Sequence, residues 1–477
     1  MAHSRGIIES AQEFLHSSKL SGVSNRGGSS LLRFALPKGQ KATFDLRSRR
    51  SGIRGGGGRS ARTPVAGENG GSRSSIREGP QGETPVASGL YAKIYGLIDA
   101  RFGRIRKPIR KNLAVLTVAF LQLLGAARSG YGSLSLAGLA RLLPTVGSPH
   151  AREKRLHRFL KNRYLDYRTV AASLGGLLLA ERKGFCPVLF DQTKVGKTQG
   201  LVAAIPYAGR ALPIACYTFD YPLTEPSLKS QNQLEHLFLL DTEQSLPQGI
   251  TPVWIGDRGY ARAALFEQSE KEERPYIIRG RKGVVINYGG QRMKLGGLKG
   301  KPYQAVRYEN VLYQSKRQVA VDVTVYGEPH FKETWYLITP VSYRSLLATD
   351  EVVKLYRERM QIEHSFRDFK THLGLRGLKL HVDTAARMGR LLLAFCVTYV
   401  LCVLLGESAL GYEARAIFEI PRRSARHGTT RTLSALTLSM LMLSHPDWRE
   451  RSMRFLLYLA RRAMGGHAWL RPIIASG

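Results

Sequence analysis

Three acidic residues stand where a carboxylate can do chemistry. Asp191 closes the apolar run PVLFD and Asp257 closes VWIGD. A carboxylate placed where a buried strand stops lies at the rim of a sheet and can face a substrate, although an aspartate there, taken alone, is more often structural, as a turn or helix cap, than catalytic. The third, Glu363, falls in Asp350–Leu373, which patterns as one long helix. With Tyr356 at zero and about 100° per residue, Arg359, Glu363 and Lys370 come at about 300°, 340° and 320°. Leu355, Ile362, Phe366, Phe369 and Leu373 gather beside them, between about 220° and 280°. A carboxylate between two cations, on a stripe flanking the buried edge, suits a partly buried site. There Glu363 meets a metal while Arg359 and Lys370 meet phosphate. The donors are all oxygen, with no His or Cys among them, which suits magnesium.

These residues need a sheet to carry the aspartates and a helix to carry the glutamate. Strand patterns begin near Cys186–Phe190, and Leu201–Pro206 with Ala211–Phe219 reads as a hairpin around Gly209. Gln231–Thr242 reads as a helix, Pro252–Gly256 as a strand and Ala261–Lys271 as a helix. From Tyr276 to Thr339 the chain is rich in β-branched and aromatic residues broken by Gly, a β-only stretch. The predicted organisation is α/β. A catalytic domain over 181–275 and 341–410 is interrupted by a β insertion at 276–340 and flanked by a helical region at 89–180 and another at 411–477. Residues 1–88, rich in Gly, Ser and Arg, read as a disordered basic tail.

In the helical region before the sheet, Ser135–Leu143 ends at Pro144, and Ser148-Pro149 is a good cap and first turn for a second helix. That helix carries Arg152, Arg155 and Arg158 among other cations, beside Leu156, Phe159 and Leu160. A short turn followed by a basic helix suggests a helix-turn-helix-like DNA contact, and a solvated charged face fits the segment equally. Trp448–Met464, with Arg449, Arg454, Arg461 and Arg462, is a further helix suited to dimer or DNA contacts.

Charge narrows the partner. The 477 residues hold 72 Lys and Arg against 36 Asp and Glu, a formal charge of +36. Such an excess repels itself unless it works on a polyanion, and nucleic acid is the commonest one; a membrane surface or the ribosome are the other partners of that kind. Cys186, Cys216, Cys396 and Cys402 form no CxxC pair and read as buried thiols of a reducing cytoplasm. No secretion signal is evident. The apolar run Leu391–Leu405 is 15 residues, short of the roughly 20 that cross a bilayer, so it reads as a buried helix and no membrane partner is expected. Gly196-Lys197-Thr198 resembles the end of a phosphate-binding loop, but Asp191 stands where that loop needs a Gly, so no nucleotide cofactor is expected. Asp220, Glu358 and Asp368 read as solvated or capping residues.

The spacing Tyr356-x2-Arg359-x3-Glu363-x6-Lys370 resembles the Y-R-E-K signature of the DDE transposases of the IS-four group, which includes the Tn-five-like enzymes. Asp191, the stretch Asp257-Arg258-Gly259-Tyr260 and Trp335-Tyr-Leu-Ile-Thr339 extend the resemblance over roughly residues 90 to 410. It implies a ribonuclease H-like catalytic domain with a β insertion between the second Asp and the Glu. It also implies two magnesium ions, with manganese as a substitute: Asp191 bridges both ions, and Asp257 and Glu363 hold one each. Arg359 and Lys370 would pin backbone phosphates, Tyr356 would bond a phosphate near the cleavage site, and Trp335 would stack on a flipped base. The implied partners are terminal inverted repeats, target DNA and a second subunit in a synaptic homodimer. The implied reaction is cut-and-paste transposition, in a bacterial or archaeal cytoplasm. A transposase-derived regulator without cleavage and a ribonuclease H-like nuclease are the other readings.

Overall fold

The computed structural model of the chain describes residues 85–126, 135–223, 230–371, 382, 384–420 and 432–464. Most of the expected tail, the end of the long helix at Leu373, and the side chains of Arg461 and Arg462 lie outside them.

Five helices lead in: α1 (Pro85–Arg101), α2 (Lys107–Ala126), α3 (Leu136–Arg141), α4 (Pro149–Lys161) and α5 (Tyr167–Leu179). The starts of α3, α4 and α5 obey capping chemistry. Ser135, Ser148 and Asp166 each turn a side-chain oxygen onto a free N–H of the first turn, and Pro149 occupies a position whose N–H would be unpaired anyway. α4 buries Leu156, Phe159 and Leu160 as its periodicity requires. Arg390 ties its end to the core by donating to the Leu160 carbonyl.

The sheet is mixed. Its strands are β1 (Gly184–Val195), β2 (Thr198–Tyr207), β3 (Arg210–Phe219), β4 (Ile250–Gly256), β5 (Tyr276–Arg279), β6 (Val285–Tyr288), β7 (Gln291–Lys294), β8 (Val306–Tyr313), β9 (Val319–Tyr326) and β10 (Trp335–Pro340). They lie in the order β3-β2-β1-β4-β5-β10-β9-β8-β6-β7. β1, β4 and β5 run parallel, and the other pairs are antiparallel. Helices α6 (Gln231–Ser245) and α7 (Ala263–Lys271) make the crossovers that parallel neighbours require. The β-rich stretch therefore divides differently from its sequence pattern. Tyr276–Arg279 belongs to the parallel part of the sheet, and β6 to β10 extend that sheet from its edge.

After the sheet come α8 (Thr349–Glu358), α9 (Met360–Thr371), α10 (Ala385–Gly406), α11 (Ala409–Phe418), α12 (Ala435–Ser444) and α13 (Pro446–Met464). The long helix expected from Asp350 onward is two helices. At their junction the N–H of Arg359 bonds Tyr356 O and the N–H of Ile362 bonds Arg359 O, i to i+3 contacts that tighten the turn. The apolar segment is also longer than its fifteen-residue core. α10 has 22 residues, long and apolar enough by composition to cross a membrane, yet 89% of its apolar window is buried inside the fold.

Candidate active site

The parallel register builds the site. Leu189 pairs with Ile255 across β1 and β4, and Gly256 pairs with Ile278 across β4 and β5. Continuing each register brings Asp191, Asp257 and Arg279 to the same level of three adjacent strands, with about 4.8 Å between neighbouring backbones. Asp191 does not end its strand, as its apolar run suggested. β1 continues to Val195 against β2, with Asp191 opposite Val202, and only the parallel partner stops. Gly256 lets the strands approach here: a Cβ on it would lie 2.7 Å from the Phe190 ring and 2.9 Å from Ile278.

Neither aspartate is spent on a helix cap. Asp257 precedes the turn Arg258–Tyr260 without a side-chain capping bond. Asp191 accepts the adjacent Gln192 N–H at 2.7 Å. Burial raises the Asp191 carboxyl to about 6, and the charges of Asp257 and Glu363 push the same way. The Gln192 N–H and the Arg359 guanidinium oppose that rise.

Arg359 joins the helix to the strands. Its side chain is 7% exposed; Nη2 lies 2.6 Å from Glu363 Oε1 and Nη1 lies 3.9 Å from Asp191 Oδ2. Its Nε is buried without a partner. Glu363 itself is 44% exposed and faces outward from α9. Tyr356 is buried with its hydroxyl beside Arg359, and burial pushes that phenol up to about 12. Its ring meets Trp335, half-buried at the start of β10, at 5.0 Å edge-on, and the Phe331 ring lies tilted against Trp335 at 4.7 Å.

The structure thus brings together Asp191, Asp257, Glu363, Arg359, Tyr356 and Trp335. It does not bring in the others. Lys370 lies two turns beyond Glu363, its Nζ 5.9 Å over the Phe366 ring. Arg152, Arg155 and Arg158 lie on α4; Arg155 is tied to Asn112 and Arg152 to the Arg141 carbonyl, while Arg158 is exposed. Among the described residues no group of three or more His, Cys, Asp or Glu side chains closes around a metal-sized space. The three carboxylates are neighbours across Arg359 rather than a finished shell.

Two readings change. Asp368 is neither solvated nor a cap: it is buried, accepts Arg210 Nε at 2.7 Å and lies 3.0 Å from the Tyr399 hydroxyl. Glu358 is half-buried and bonded to Gln361. Other residues at the site carried no role in the sequence reading. Tyr260 packs its ring 4.3 Å from that of Phe190 and buries an unpartnered hydroxyl. Gln231 links Gln192 to the buried Glu235, which pairs with Arg262. Only Tyr260 had a signal, its place directly after Asp257-Arg258-Gly259.

Residues 217–401 match the family model of the transposase DDE domain. The match to a DDE transposase begins in β3, runs into α10, and includes Asp257, Arg359 and Glu363 while leaving Asp191 upstream. Among solved structures, the cryo-EM synaptic complex of piggyBac transposase with hairpin DNA is similar at 8% identity and a TM-score of 0.35, over 82% of this chain and 86% of that one. No curated protein matches the sequence.

Proposed function

We propose that this chain is a cut-and-paste transposase of the IS-four type, which cleaves DNA at the ends of its own element and joins them to a target. The strand order β3-β2-β1-β4-β5, antiparallel then parallel, supports a ribonuclease H-like core. The observation that carries the proposal is the convergence of Asp191 and Asp257, level on adjacent parallel strands, with Glu363 joined to Asp191 through Arg359.

The donor set fits divalent cations: three carboxylates, no nitrogen or sulfur ligand, and a half-buried Asp191 whose charge is poorly compensated. Asp191, Asp257 and Glu363 would hold magnesium, or manganese in its place. Two such ions supply activation of a water or 3′-hydroxyl and stabilisation of charge on the nonbridging and leaving oxygens of the phosphodiester. The chain's own residues orient the DNA. Arg359 presents a rigid fork that a phosphate can take over from Glu363. Tyr356 offers a buried hydroxyl beside it, Trp335 an aromatic edge for an extruded base, and Lys370 a cation farther along the same helix. Arg152, Arg155 and Arg158 on α4 serve the terminal repeats, and two subunits pair the ends.

The deciding experiment incubates the full chain with its gene and flanking DNA in magnesium and looks for excised ends. Asp191→Ala and Glu363→Ala should abolish excision while leaving DNA binding largely intact. Excision at the wild-type rate by either variant would remove the assigned site.

A further inference from the structure

The row that holds the aspartates continues one strand further, into a cationic position. Arg279, the last residue of β5, is level with Asp257, and Arg258 follows Asp257 directly. Both guanidinium groups converge on one oxygen of one side chain: Glu333 Oε2 lies 2.7 Å from Arg279 Nη2 and 3.2 Å from Arg258 Nη1. Arg281 adds a third cation, its Nε donating to the Arg258 carbonyl at 3.0 Å. Glu333 stands two residues before Trp335 and is the acid that Arg258 and Arg279 pair with. Arg279 is 17% exposed, whereas Arg258 and Glu333 are about half exposed.

We propose that Arg258 and Arg279 form a phosphate-binding clamp for the DNA backbone on the β5 side of the carboxylates, and that Glu333 occupies the phosphate's position until DNA arrives. This deepens the DNA-processing reading above and rests on it. A single anionic oxygen shared by two guanidinium groups is the geometry in which arginines also take one phosphate oxygen. Three arginines outnumber Glu333 and the adjacent Asp257, which leaves the cluster net cationic, so an incoming phosphate is attracted even while Glu333 is in place. The Arg258–Glu333 pair, about half exposed on both sides, is held weakly and is readily exchanged. Arg359 and Lys370 lie on the helix side, so the backbone would be gripped on both flanks of the reacting bond.

The test measures binding of the full chain to a fluorescein-labelled random-sequence duplex by anisotropy, without metal, over a range of salt. Arg258→Gln and Arg279→Gln should each lower the slope of log Kd against log salt by about 1. Arg279→Lys keeps the charge and should retain most of the slope, separating a lost contact from a damaged fold. Glu333→Gln, at an exposed position, should bind several-fold tighter. Unchanged slopes in both glutamine variants, or a Glu333→Gln chain that binds no tighter, would overturn the clamp. With steep wild-type binding, such a result leaves the DNA reading standing; a wild-type chain that does not bind duplex removes both.

Discussion

Arg359 Nη2 lies 2.6 Å from Glu363 Oε1, one turn of helix away and almost wholly out of solvent. The same guanidinium reaches toward Asp191, so in the metal-free chain one fixed cation offsets two of the three acids. A divalent ion must compete with it. Arg359→Gln should therefore bind manganese more tightly in the absence of DNA, by about tenfold or more, the scale on which one cation within about 4–6 Å alters a carboxylate. Calorimetric titration of the DNA-free chain reads this directly. Equal or weaker manganese binding by the variant would show that Arg359 organises the carboxylates rather than competing for them.

Asp191 makes stability depend on pH in a direction opposite to that of most carboxylates. Its folded pKa is about 6, because burial disfavours the charge and Asp257 and Glu363 repel it, against 3.8 for an ordinary aspartate. The folded state thus holds its proton more tightly than the unfolded state, and ionisation costs stability as pH rises through 6. Below about 4 the penalty is absent; above about 7 it is complete and amounts to at most about 3 kcal/mol. Asp191→Asn should raise the melting temperature in EDTA at pH 7.5 and leave it nearly unchanged at pH 4. A gain independent of pH would mean that the charge of Asp191 is not the cause.

The parts of this site legible in the sequence are those governed by local pattern. The apolar runs before Asp191 and Asp257 mark buried strands, and the spacing from Tyr356 to Lys370 marks the helix that carries Glu363. The break at Arg359 has no Gly or Pro to signal it; i to i+3 backbone bonds at Arg359 and Ile362 tighten the turn there. Continuation of β1 beyond Asp191 was hidden because Gln192 to Val195 pair only with β2 and lack the unbroken apolar character of a doubly flanked strand. Asp368 was misread because its partner, Arg210, is 158 positions away. The Arg258–Glu333–Arg279 cluster needs strand register, which composition does not reveal.

Asp368 fastens α9, and with it Glu363, to the sheet. Arg210 Nε lies 2.7 Å from Asp368 Oδ2 in a pair whose acid is 3% exposed. Beside it, Ser365 Oγ accepts Ala211 N–H at 2.8 Å and the Tyr399 hydroxyl lies 3.1 Å away. Removing one member of a buried pair strands the other, at a cost of about 3–5 kcal/mol. Asp368→Ala should lower the melting temperature sharply, and replacing both partners together, Arg210→Met with Asp368→Leu, should recover much of the loss. If the single variant melts within a degree or so of wild type, solvent is already satisfying Arg210.

Two glycines flank Asp257 at short range and should behave in opposite ways. Gly256 lies between neighbouring strands, where an added Cβ would meet the Phe190 ring at 2.7 and 2.8 Å and Ile278 at 2.9 Å. Phe190 precedes Asp191, so forcing the strands apart there displaces the level on which both aspartates sit. Gly256→Ala should cost about 1–3 kcal/mol through overpacking, with weaker manganese binding in the folded fraction. Gly259 has nothing within 4 Å of an added Cβ and no left-handed backbone. Gly259→Ala should leave thermal unfolding unchanged, or raise stability by up to about 1 kcal/mol by restricting the unfolded chain. Comparable destabilisation by both substitutions would contradict the close approach at Gly256. A Gly259→Ala chain that melts normally yet binds duplex DNA more weakly would instead locate Gly259 where the protein backbone touches DNA, since its space inside the fold is open.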